Sequence, residues 1–214
     1  MTFDMLEDEV LHTRAALAAD PDAKDFLPMT DSWLGKVDAA RAADRTARVA
    51  TAEATALRQV SNGRLDPLCV AFGDALYLAV GKDRNAARWT QFFKVPVSRF
   101  VRQAFPTQVT LVRGWLAIED AVLAAHRTGL ETWSAKAQEA LARTAATAAP
   151  LGAARVAREQ LAEDLTRERD GLDEALSARA RELKLARDWS ALFFRITPRG
   201  AEEPEQPTEE PPSL

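Results

Sequence analysis

The sequence predicts an all-α protein, an elongated antiparallel helical bundle whose long helices pair as in a coiled coil. Three observations carry that prediction. Alanine supplies 42 of the 214 residues and glycine only 9; alanine is the best helix former but adds little burial area, so its helices should pack closely and side by side. No proline interrupts the chain between Pro150 and Pro198. Within Leu151 to Phe194, Leu161, Leu172, Leu183 and Phe194 recur every eleven residues, with Leu165 and Leu176 four residues on. Eleven residues make almost three helical turns, so this line stays on one face of a nearly straight helix, and the full stretch would run to roughly 60 Å.

Taken in order, Thr2 can cap a first helix from Phe3 to about Ala19, with Asp4, Glu7 and Asp8 near its positive end. The loop AADPDAKDFLP follows. Thr30 or Asp31 can then cap a second helix reaching about Val60, with Trp33, Val37, Ala40, Ala47, Ala54 and Leu57 on its apolar side. SNGRLDP reads as the clearest boundary in the chain, because Gly63 suits a left-handed stop and Asp66 before Pro67 suits a new cap and first turn. A third helix from Pro67 to about Val80 carries Leu68, Phe72, Leu76 and Val80, with Gly81 as its candidate end.

The most aromatic piece comes next, AARWTQFFKVPVSRFVRQAFP, in which Pro96 breaks the backbone and Ser98 can cap a short helix holding Phe100, Val101 and Phe105. From Thr107 to about Thr147 apolar residues return every three or four positions. Glu119 and His126 interrupt the seam, which points to a face rotated toward Trp115, Ile118 and Val122. Gly129 is a candidate split, and APLG at 149–152 a candidate end or kink. This divides the chain into an N-terminal helix and loop at 1–28, the bundle at 29–197, and a proline- and glutamate-rich tail at 198–214 expected to be disordered.

An internal echo qualifies the long C-terminal helix. Trp33 and Trp133, and Trp89 and Trp189, stand one hundred residues apart, with WLGK against WSAK and RWTQFFK against DWSALFFR. Related repeat units at 29–97 and 129–197 would then require a turn near Gly171. The eleven-residue phase runs unbroken across Gly171, and this favours one continuous helix.

Composition narrows the functional classes. Residues 201–214 hold five glutamates and no basic side chain, so the rest of the chain carries 28 basic and 27 acidic residues, without the net positive field that recruits nucleic acid or anionic lipid. No stretch is long and apolar enough to span a bilayer, and the acidic N-terminus shows no signal peptide, so a cytoplasmic protein is the expectation. Cys69 falls on an apolar helix face and reads as a buried free thiol. His12 and His126 are the only histidines, and no metal or cofactor is expected. Asp74, Glu119, Asp120 and Glu174 could meet as carboxylates, but acid and base roles require separated pKa values that no motif announces.

The aromatic residues are therefore the candidate protein interface: Trp89, Phe92, Phe93, Phe100 and Phe105 around Pro96, and Trp189, Phe193 and Phe194 at the end of the long helix. Each ring can bury about 150–250 Å², so together they either cap the bundle internally or seat a partner. Lys94, Arg99, Arg102 and Arg195 give them a basic rim. The expected function is a structural, adaptor or assembly subunit, not an enzyme, whose partner is another protein or a second copy of this chain. A helical binding module for an apolar small molecule or peptide is the alternative, and nucleic-acid association a weaker one.

Overall fold

A computed structural model describes residues 2–195. The tail at 198–214 lies outside them. Among the described residues every regular element is helical: α1 (Phe3–Ala19), α2 (Leu27–Ala79), α3 (Ala87–Phe92), α4 (Val97–Phe100), α5 (Phe105–Trp115) and α6 (Ala121–Leu183), with 3-10 turns at Lys24–Phe26 and Trp189–Phe193. The chain separates into two compact units, one of residues 1–39 and 158–214, the other of residues 40–157. Each repeat span suggested by the echo therefore draws on both units. No helix among the described residues is long and apolar enough to cross a membrane.

In the first unit, α1 begins where the sequence places it. Thr2 Oγ1 accepts the Met5 N–H at 3.2 Å, and Leu6, Val10 and Leu17 are buried. Neither Thr30 nor Asp31 caps the second helix. It starts at Leu27, just after the 3-10 turn; Thr30 is buried and donates to the Leu27 carbonyl at 2.8 Å, while Asp31 pairs with Arg14 at 2.7 Å. Trp33 and Val37 of α2 are buried, as are Leu161, Leu165, Leu172 and Leu176 of α6. The helix runs unbroken through Gly171. Its eleven-residue line ends early, however, because Ala180 is the next buried position and Leu183 is 43% exposed.

Phe194 lies beyond that helix. Lys184 adopts a left-handed φ of 58°, and the Leu185 N–H bonds back to the Ala180 carbonyl at 2.9 Å, closing α6 by a Schellman-type turn. The chain then folds Trp189 down so that its indole N–H donates to Asp20 at 2.9 Å, and Ser177 bonds Ser190 at 3.1 Å. A salt bridge from Arg179 to Asp25 at 2.6 Å and another from Arg169 to Glu9 sit around this unit.

The second unit corrects the strongest boundary read from the sequence. α2 passes straight through SNGRLDP, with Gly63 helical and Pro67 inside the helix. Pro67 cannot donate to the Gly63 carbonyl, a loss of about 3 kcal/mol in an exposed helix. Against it stand Leu65, Cys69, Phe72 and Leu76, all fully buried on one face, each worth about 1.5–3 kcal/mol where the side chain is large. Asp66 does not cap a helix; its two carboxylate oxygens accept from Asn62 at 3.2 Å and from the buried Gln108 amide at 2.5 Å.

Here α2 and α6 run antiparallel. Arg64 lies over Trp133, Leu68 lies against Gly129, and the Phe72 and His126 rings are 6.0 Å apart, so partners on α6 fall as numbers on α2 rise. Gly129 splits nothing. It lets Leu68 approach, since a methyl there would stand 3.1 Å from Leu68 Cδ2. Pro150 likewise lies inside α6. Away from the aromatic residues the seam narrows to Asp44, Ala47, Ala54 and Ser61 on α2 and to Ala137 and Ala140 on α6. These positions recur every seven residues or by threes and fours, the spacing of a coiled coil.

The break in the chain that the sequence did not announce falls at 116–120, between α5 and α6. Asp120 makes it. Its Oδ1 accepts from the Val122 and Leu123 N–H groups at 2.8 and 3.1 Å, a helix cap, and the carboxylate also receives Arg88 through two bonds of 2.7 and 3.0 Å. Arg127, in the second turn of α6, donates back across the break to the carbonyls of Leu116 and Ile118 at 2.6 and 2.8 Å. The break therefore ends two helices without leaving their terminal groups bare.

Candidate functional site

The aromatic residues of the second unit form its core. Phe72 sits at the centre, 5.1 Å from Phe92, 5.8 Å from Phe93 and 5.5 Å from Trp115. Trp115 stacks on Phe100 at 4.8 Å, and its indole N–H donates to the Phe92 carbonyl at 3.0 Å. Trp89, Phe92, Phe93, Phe100 and Phe105 are all buried. Ser98 does not cap α4; Pro96 occupies that position, with its ring ahead of the first turn and no side-chain bond. Trp189 and Phe193 pack edge to face at 4.9 Å in the other unit, also buried, and Arg169 lies over the half-buried Phe194. The structure thus puts the candidate rings into two separate cores. All but Phe194 are buried, and Trp89 also lines a cleft at the surface of the second unit.

That cleft measures about 300 Å³ and lies outside the ring core. One wall is α2, through Val70, Gly73, Asp74 and Tyr77; the other is Pro96, Val97 and Ser98 at the start of α4, with Trp89 and Arg84 also lining it. Each wall has a local cause. Gly73 lets α4 lie against α2, because a methyl at that position would come within 2.5 Å of Val97 Cγ2 and 3.3 Å of Phe93. The end of α2 is fixed by Gly81 at φ 66°, with the Lys82 N–H bonding the Tyr77 carbonyl at 2.9 Å and the Gly81 N–H bonding the Leu78 carbonyl at 3.1 Å. That turn brings Arg84 back over the Tyr77 ring, its guanidinium carbon 5.0 Å from the centroid. Trp89 stacks on Phe93 and meets Tyr77 edge on, so the cleft stands on the core.

The cleft is preformed, apolar on its walls and charged at its mouth. Val70 is 38% exposed, Pro96 is exposed, and Tyr77 and Val97 are half-buried. Asp74 and Arg84, both exposed, are the charged residues of the cleft lining. By contrast, the space beside Trp33 and Arg169 in the first unit measures about 30 Å³, room for a water molecule or two.

Comparison with known proteins returns nothing. No family model, curated protein or solved structure matches this chain.

The carboxylates singled out from the sequence do not converge. Asp74 lies on the cleft, Glu119 is exposed, Asp120 is engaged with Arg88 and the α6 terminus, and Glu174 is an exposed residue of the other unit. Paired with Arg88, Asp120 is held below the ordinary carboxylate range, with its burial opposing that shift and its backbone bonds reinforcing it. Burial pushes the Cys69 thiol up to about 12, and the Asp66 carboxylate adds to the rise. Among the described residues no group of three or more metal-ligating side chains comes together. His126 fills a half-buried seam position beside Phe72.

Val70, Gly73, Tyr77 and Val97 were not flagged by the sequence. Tyr77 is the only tyrosine of the chain, and Gly73 sits mid-helix, where a glycine often marks close approach of another backbone. Those two signals were present.

Proposed function

We propose that the protein works through protein–protein contacts, as a structural, adaptor or assembly subunit, and that the cleft beside Tyr77 seats an extended segment of its partner. The observation that carries this reading is a preformed cleft whose walls are aliphatic and aromatic, held open by a buried ring cluster, with a cation fixed at its mouth. Extended segments bind such sites by laying alternate side chains or prolines against apolar walls while charged groups fix direction. A rigid receptor lowers the ordering cost of association.

The test is affinity capture from cell extract with the intact protein and with Val70→Glu and Tyr77→Ala, both at partly exposed positions. Loss of the same captured protein from both variants, with far-ultraviolet circular dichroism unchanged, supports the reading. An unchanged set of captured proteins refutes it. A small apolar molecule is a second reading, supported by the cleft volume of about 300 Å³, which meets the lower end of ligand-site sizes. It requires displacement of a bound hydrophobic dye by that molecule.

A further inference from the structure

We infer that two copies of the chain pair through the exposed side of α2, antiparallel about a two-fold axis and in one definite register. This surface extends well beyond the cleft, although Val70 and Asp74 belong to both.

The first observation is a second apolar seam on α2. Val49, Ala56, Gly63 and Val70 recur every seven residues, with Ala52, Val60 and Pro67 between them. Steps of three and four keep all seven on one side of the helix. It is not the side that Leu65, Cys69 and Phe72 bury. Every one of the seven positions is exposed, Val49 by 50% and Val60 by 52%. A methyl added at Gly63 would meet nothing within 4 Å, so among the described residues nothing lies over the middle of the stripe. A seam of this period is what pairs one helix with another, and the seam against α6 leaves this one uncovered.

Charge selects the occupant and the direction. The stripe itself is uncharged, and one charge stands at each end: Arg45 one turn before Val49, and Asp74 one turn after Val70. Both are exposed, and neither enters an ion pair among the described residues. A parallel pair would set arginine against arginine and aspartate against aspartate. In an antiparallel pair, Arg45 of each copy meets Asp74 of the other, which forms two ion pairs and fixes the register. That register also places Val49 opposite Val70, Ala52 opposite Pro67 and Ala56 opposite Gly63, with Val60 of both copies beside the two-fold axis. Apolar positions thus meet apolar positions along the stripe.

From Arg45 to Asp74 the helix runs about 44 Å, and a strip of that length about 10 Å wide covers about 450 Å² on each copy, near the lower end of specific interfaces. A dimer of this size should be reversible, with dissociation in the micromolar range.

Sedimentation velocity of the full-length protein, over a dilution series through the micromolar range, tests the pairing. A monomer–dimer equilibrium is expected, at least about tenfold weaker in Val49→Glu and in Ala56→Glu. Both lie outside the cleft lining, so both variants should still capture a cleft partner. Ala43→Glu, at an exposed position on another side of α2, should leave the equilibrium unchanged. Arg45→Asp and Asp74→Arg should each weaken self-association by setting like charges together. An equimolar mixture of those two variants should restore it, because every end contact then joins unlike charges. Circular dichroism checks that each variant keeps its helices. A protein that stays monomeric throughout the series, or a dimer indifferent to Val49→Glu and Ala56→Glu, overturns the assignment of the surface. A dimer unaffected by the charge variants, or not restored when they are mixed, overturns the antiparallel register.

Discussion

Two glycines that look alike in the sequence should respond to the same substitution with opposite signs. Gly63 and Gly81 both read as helix stops, yet Gly63 lies inside α2 and only Gly81 has a positive φ, 66°. At Gly63 an added methyl meets nothing within 4 Å, so Gly63→Ala gains the helix-propensity difference of about 1 kcal/mol with no clash to offset it. At Gly81 an alanine must adopt the left-handed conformation, at a cost of about 1–2 kcal/mol, reduced by roughly 0.5 kcal/mol because the unfolded chain also loses freedom. The net loss is about 1 kcal/mol, which separates the two variants by about 2 kcal/mol. For a chain of this size the difference amounts to about 4–8 °C in Tm. Urea unfolding followed by far-ultraviolet circular dichroism measures it directly, and the slope against urea should stay constant. A loss of stability in Gly63→Ala comparable to that in Gly81→Ala would mean that α2 is not one helix, and the description of the second unit would fall with it.

Other perturbations probe separate features. Asp120→Ala removes the α6 cap, worth about 1 kcal/mol, together with the solvent-screened bond to Arg88; at neutral pH the variant should be less stable by at least the value of the cap. Because the folded Asp120 has a lowered pKa, its contribution is complete above the unfolded value of about 4 and disappears as pH falls through the folded one. Melts of parent and variant should therefore converge in acid, and a constant gap down to the lowest pH would contradict the assignment. Cys69, buried with its thiol pushed up to about 12, should resist thiol reagents in the folded protein and react at once in denaturant; rapid native labelling at mildly alkaline pH would disprove its burial. Lys184, a non-glycine residue at φ 58°, should give a protein more stable by about 0.5–1 kcal/mol on Lys184→Gly, and a lower Tm would show that the turn closing α6 is misplaced.

Local capping was legible in the sequence where one side chain decides the outcome. Thr2 caps α1, and Gly81 ends α2. Long-range packing overruled the signals that only suggest a turn. SNGRLDP has the composition of a boundary, but Leu65, Cys69 and Phe72 hold it in the helix, and no local propensity reveals that balance. The opposite error occurred at 116–120, where LAIED contains neither glycine nor proline; the break depends on Asp120 and on Arg127, whose roles need three-dimensional partners. Periodicity was only partly diagnostic. Leu161, Leu165, Leu172 and Leu176 are buried on the eleven-residue line, but its next member, Leu183, is exposed, and Ala180, four residues after Leu176, takes the last buried position of α6. The aromatic residues were correctly singled out as a cluster too large to leave exposed, yet their burial moved the candidate contact surface to Val70, Tyr77 and Val97.

The small residues along the seam of the second unit bear on kinetics as well as packing. Leucine and phenylalanine at 65, 72 and 76 bind their helix to its surroundings far more strongly than alanine at 47 and 54 can. Backbone amides near 44–58 and 137–154 should therefore exchange with deuterium through local openings, long before those near 65–76, which exchange only when the whole unit unfolds. A protease given time would find the same place. The paired helices would be cut in their smoothest and most regular stretch, while the irregular turns around Trp89, held by the ring cluster, survive.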